Sequence, residues 1–145
     1  MLIRWDRIRQ IADDIDNEEQ LKLRFNMGEW GTSTATCGTV ACVAGFALHR
    51  FDPKTWQEVL HGAWTDVGKE AARHFGLGRC NEQELFMAEG SNLSFHAMTA
   101  DPKHVARSLR WMTDHKVINW RRAWEATADA GAPAWMLVTD FEDDR

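Results

Sequence analysis

The run Gly38-Thr39-Val40-Ala41-Cys42-Val43-Ala44-Gly45-Phe46-Ala47-Leu48 carries no charge and, wound as a helix, is apolar around nearly its whole circumference. Such a segment is stable in water only when other elements cover it on several sides, so it belongs at the centre of the fold. Its small residues, Ala41, Ala44 and Gly45, let neighbouring backbones come close. Gly45 costs about 1 kcal/mol of helix propensity relative to Ala, and close packing is the compensation. The expectation is a buried central helix over residues 38–51.

The rest of the chain supplies helices to surround it. Trp5, Ile8, Ile11, Ala12 and Ile15 recur at spacings of three and four with charges between them, which predicts an amphipathic helix. Asp52-Pro53 and Asp101-Pro102 each place an N-cap before an N1 proline, and apolar stripes follow (Trp56, Val59, Leu60; Val105, Leu109, Met112). Val67, Ala71 and Phe75 share a face of a helix opened by Thr65 and stopped by a left-handed Gly76, with Leu77 folding back. Asn81-Glu82-Gln83-Glu84 reads as a capping-box start for a short helix bearing Leu85 and Phe86. A last helix over residues 119–130 turns Trp120, Ala123, Trp124 and Thr127 inward. Two stretches alternate with strand period instead: residues 21–27 (Leu21, Leu23, Phe25, Met27) and the tail at 134–141 (Trp135, Leu137, Thr139, Phe141). Each is the other's only plausible mate for a short ladder. The fold class that follows is all-α, about six or seven helices around the buried one at 38–51. Residues 1–145 form one globular domain.

Composition narrows the function classes. A chain of 145 residues buries roughly 68–70% of its unfolded surface, so it needs neither metal nor disulfide to fold. A net charge of −5 and a pI near 5.6 argue against general nucleic-acid binding. No apolar run approaches the roughly 20 residues of a membrane span. Three cysteines (Cys37, Cys42, Cys80) and an early charge in Met1-Leu2-Ile3-Arg4 point to reduced thiols, no secretory signal and a cytoplasmic setting.

The nonapeptide Cys37-Gly38-Thr39-Val40-Ala41-Cys42-Val43-Ala44-Gly45 resembles the C-G-T-x-x-C-x-A-G core of a family of small, largely uncharacterised proteins of bacteriophages and their bacterial hosts. The likeness extends over residues 25–124, through Phe25-Asn26-Met27, Trp30, Ala71-Ala72, Phe75-Gly76-Leu77, Leu85-Phe86 and Val117-Ile118-Asn119-Trp120. Phe46 stands where Trp or His is expected, and Met87-Ala88 where a proline turn is. The resemblance implies a phage or mobile-element setting and no particular reaction.

Cys37 is the sharpest chemical candidate. At the start of a buried helix its thiolate would be stabilised by the dipole, and thiol enzymes pair such a cysteine with a histidine. Six histidines are available (His49, His61, His74, His96, His104, His115), and no spacing nominates one. The plainer alternative is that Cys37 packs the helix entry while Thr36 or Thr39 satisfies its free amides. A Cys37–Cys42 bridge or metal pair fits poorly, because five helical steps leave the side chains about 140° apart and the Cα atoms roughly 8 Å distant. Cys42 is expected to be a small core residue, and no metal or other cofactor is called for.

Two binding patterns compete with it. Residues 65–86 suggest helix-turn-helix, but the second helix would offer phosphate Glu82, Glu84 and Glu89, so a packed αα corner is the better reading. Arg107, Arg110, Lys116, Arg121 and Arg122 could form a patch for an anionic partner or be solvated helix backs. The reading that follows is a binder of another macromolecule, most plausibly a host or phage protein, inhibiting host machinery or defence. An exposed Trp among Trp30, Trp64 or Trp135 would anchor that interface. Rival readings are a Cys37-dependent hydrolase or transferase and a nucleic-acid-binding protein.

Overall fold

The computed structural model describes residues 2–29, 31–34, 38–62, 66–91 and 93–128. Helix α1 (Trp5–Asp16) buries the expected stripe of Ile8, Ile11, Ala12 and Ile15, and α2 (Glu18–Leu21) adds one turn. A three-stranded sheet follows, from β1 (Leu23–Phe25), β2 (Thr32–Thr34) and β3 (Gly38–Ala41) in the order β1-β3-β2. Seven further helices, α3 (Val43–Phe51), α4 (Pro53–Leu60), α5 (Val67–Phe75), α6 (Arg79–Met87), α7 (Phe95–Ala100), α8 (Pro102–His115) and α9 (Trp120–Thr127), complete the described chain. The domain is mainly helical, with nine helices among the described residues.

The central helix lies where the apolar run placed it, but it is shorter. Residues 38–41 form the middle strand of the sheet, and the helix begins only at Val43. β3 pairs in parallel with β1 (Leu23↔Thr39, Phe25↔Ala41) and antiparallel with β2 (Thr32↔Val40, Thr34↔Gly38). A strand hydrogen-bonded on both edges can be apolar without alternation, so the run satisfies both structures in succession. β1 thus has β3 as a partner; segment 134–141, the mate expected for it, lies outside the described residues. The free edge of β1 is partly closed by Glu18, whose carboxylate accepts the Phe25 amide at 2.8 Å.

Val43 to Leu48 of α3 are all buried. Helices α1, α4 and α5 pack on α3, and α1 packs most extensively on α8. Asp14 on α1 is buried at 5% exposure, and Arg50 of α3 grips both its oxygens at 2.7 Å. Arg110 of α8 reaches Asp13 and Asp16 of α1, each at 2.7 Å, and Arg9 pairs with Asp114.

Helix punctuation follows the sequence reading. Asp52 and Asp101 accept the amides of Thr55 and His104 and precede N1 prolines. Gly76 closes α5 at φ +70°, with the Leu77 amide bonded back to Ala72. A side chain at Gly76 would also drive into the Leu2 carbonyl oxygen. The N-cap of α5 is Asp66, and α6 starts at Arg79, ahead of the expected Asn81.

Candidate functional site

Moving the helix start to Val43 changes the cysteine argument. The thiol at a helix N-terminus is Cys42, the N-cap of α3, while Cys37 precedes a strand. Cys37 itself lies outside the described residues, and the N-terminal end of the α3 dipole faces Cys42. Cys42 is buried at 2% exposure, beside a recess of about 50 Å³ lined by Met27, Gly28, Phe86, Met87 and Phe95. Burial pushes its thiol up to about 11, against the pull of the Gly45 and Ala44 amides. It is thus a protonated core residue at neutral pH, as its surroundings in the sequence suggested. The third thiol, Cys80, is exposed on α6.

The most elaborate polar cluster lies at the start of α9. A helix leaves its first amides without intrahelical acceptors. Here the Trp120 amide donates to Glu84 at 2.9 Å, the Arg121 amide to Ser91 Oγ at 3.1 Å and the Arg122 amide to Asn119 Oδ1 at 2.9 Å. Ser91 in turn donates its hydroxyl proton to Glu84. Glu84 and Ser91 are both buried. The negative carboxylate faces the positive end of the α9 dipole, offsetting Arg121 and Arg122 in its first turn. The indole of Trp120 returns the favour to α6 by donating to the Leu85 carbonyl at 2.9 Å. Glu84, read in the sequence as a surface charge repelling phosphate, is an interior strut between α6 and α9.

A second cluster holds the far side of α9. His104 is buried, stacked on Trp124 with 3.6 Å between ring centroids. Its Nε2 lies 3.0 Å from the Trp124 carbonyl and 3.1 Å from Thr127 Oγ1. A carbonyl can only accept, so Nε2 carries the proton and is no base at that atom. Thr127 donates to the Ala123 carbonyl at 2.7 Å and touches Ser108 at 3.3 Å.

At the α3–α4 corner, Asp52 lies 3.5 Å from His74, whose ring stacks on Phe51. Burial works against the Asp52 carboxylate, but the Thr55 hydroxyl and amide and the His74 ring outweigh it and hold its pKa below the usual 3.8. A depressed folded-state pKa stabilises the fold above the unfolded-state value and ceases to do so as pH falls through the folded one. Asp52→Asn, which keeps the N-cap, is expected to flatten the loss of stability below about pH 4 and to cost less than about 1 kcal/mol at neutral pH. Urea unfolding of both proteins between neutral and acid pH checks this; equal acid slopes would refute the linkage.

Comparison with known families, curated proteins and solved structures yields no match. The chain's own surfaces are then the remaining guide. The five basic residues near the last helices do not form one patch. Arg110 is taken by Asp13 and Asp16, Arg121 Nε bonds the Ser91 carbonyl at 3.1 Å, and Arg107 Nε is buried without a partner. Lys116 lies 5.5 Å over the Trp5 ring, and Arg122 lies 5.8 Å over Trp111. At the opposite end of the α1–α8 pair, Asp16, Glu18, Glu19 and Asp101 flank an open groove of about 430 Å³ with Lys103.

The structure therefore brings none of the sequence-nominated groups into one reactive constellation among the described residues. No group of three His, Cys, Asp or Glu residues there could hold a metal ion, and no helix there is long and apolar enough to cross a membrane. The expected anchors Trp30, Trp64 and Trp135 lie outside the described residues, whereas half-buried Trp5 and Trp111 had not been nominated. For Trp111 a signal was available in His115 four residues on and Arg122 on the next helix, whereas the cation over Trp5 comes from Lys116, far along the chain.

Proposed function

We propose that this domain acts by binding another protein, in the manner of phage or mobile-element accessory proteins that inhibit host machinery or defence. One observation carries the reading. Among the described residues, the seven buried polar ones (Asp14, Glu84, Ser91, Ser94, His104, Ser108 and Thr113) form hydrogen bonds inside the chain, on helix ends and interhelical struts. Interior groups so engaged build a rigid platform, and a platform acts through its surface. The acidic balance and the resemblance of residues 37–45 to a phage-type core support the same reading. A reducing, cytoplasmic setting accords with it.

Affinity capture of host-lysate proteins on the native chain is the test, run beside peptide-mapped iodoacetamide labelling. The expected result is a host protein retained in stoichiometric amount, with Cys80 alkylated in the native state and Cys42 only after unfolding. Capture of nothing, together with a fast-reacting Cys37 at neutral pH, would overturn the reading in favour of a thiol hydrolase or transferase.

A further inference from the structure

The C-terminal end of α8 carries an array that the scaffold does not use. The Trp111 ring stacks on His115 with 4.2 Å between centroids and 19° between planes, and the Arg122 guanidinium lies over the same indole at 5.8 Å. One residue beyond His115, the Lys116 ammonium stands over Trp5 of α1 at 5.5 Å. His115, Lys116 and Arg122 are exposed, while Trp5 and Trp111 are half-buried. Lys116 and Arg122 form no ion pair among the described residues, whereas Arg4, Arg9, Arg50, Arg73 and Arg110 each bind a carboxylate. Two cations thus stand over indoles with no carboxylate paired to them among the described residues, in a protein of net charge −5.

We propose that Trp5, Trp111, His115, Lys116 and Arg122 form the docking surface for an acidic patch on a partner protein. This rests on the protein-binding reading above and names where the partner sits. Trp and Arg are the residues that dominate binding energy at protein interfaces, and cations held over rings lose little entropy on meeting a carboxylate. Charge complementarity selects an acidic occupant. A nucleic-acid strand fits less well, because bases need open aromatic faces and these indoles already carry a cation or an imidazole.

The test uses the whole chain and a fluorescein-labelled helical peptide of glutamate and alanine, followed by anisotropy and by the indole N–H resonances. Saturable, salt-sensitive binding that shifts the Trp5 and Trp111 indoles is expected. Lys116→Glu with Arg122→Glu should weaken it about tenfold or more, while Lys54→Glu with Lys69→Glu, on α4 and α5, should not. Thermal melts confirm that both double variants fold. Equal weakening by the two pairs, indole shifts confined to other tryptophans, or tighter binding of an oligothymidylate would each overturn the proposal. A captured host protein still retained by the Lys116/Arg122 variant would sink this surface while leaving the protein-binding function standing. Failure of the wild-type chain to capture anything would sink the function and, with it, the assignment of this surface to a partner protein.

Discussion

Replacing Glu84 with Ala is expected to lower the unfolding free energy by about 3 kcal/mol. The change strands the Trp120 amide and leaves the Ser91 hydroxyl only the distant Asn119 Oδ1, 3.4 Å away, in place of this carboxylate. Leaving a buried donor unsatisfied costs roughly 1–3 kcal/mol each, and the α9 dipole loses its negative partner as well. For a domain of this size the melting temperature should fall by about 10 °C. Glu84→Gln keeps an acceptor for Trp120 and should lose about half as much. Gly90→Ala probes the same strut from outside, since its Cβ would sit 2.8 Å from Glu84 Oε1. Urea denaturation reads all three, and a loss under about 1 kcal/mol in Glu84→Ala would show that the network contributes little.

Trp120→Ala should be more damaging still. The side chain is fully buried and also caps the Leu85 carbonyl of α6. Emptying a tryptophan site costs about 3–5 kcal/mol, against a total stability of about 5–15 kcal/mol for a domain of this kind. We expect the variant to populate unfolded chains at 37 °C, read by near-ultraviolet circular dichroism and gel filtration. Trp120→Phe retains most of the ring but orphans the carbonyl, so a loss of about 2 kcal/mol is expected. Should Phe prove as damaging as Ala, the hydrogen bond and not the volume would be the main contribution.

These positions show what the amino-acid order reveals and what it conceals. Helix boundaries set by local chemistry were legible: Asp52-Pro53, Asp101-Pro102, Asn119 and Gly76 cap where the sequence placed them. The inward stripe of α1 was legible too, because its other face is charged. Residues 38–48 were not, since an uncharged run without alternation has no periodicity to read, and strand and helix look alike. The β-branched Thr39 and Val40 were the one available hint of a strand. Helices α2 and α7, at four and six residues, are too short to show a period. Glu84 was misread because a carboxylate on a helix is ordinarily solvated, and its donors come from segments far along the chain. The polar platform was therefore hidden until tertiary contacts were known, whereas the cations near the C-terminal helices were visible but could not be sorted into paired and unpaired ones.

The α1–α8 pairing joins the two ends of the described chain: Arg9 meets Asp114, and Asp13 meets Arg110. During synthesis, the first helix emerges with Ile8, Ile11 and Ile15 uncovered, and with only its smaller contacts to α3 and α5 available until α8, its most extensive partner, has left the ribosome. At roughly 5–20 residues per second, that interval lasts about 5–20 s. Through it the nascent chain must avoid aggregation by other means, and a release factor or nuclease acting before α8 is made would leave a product unable to close its core.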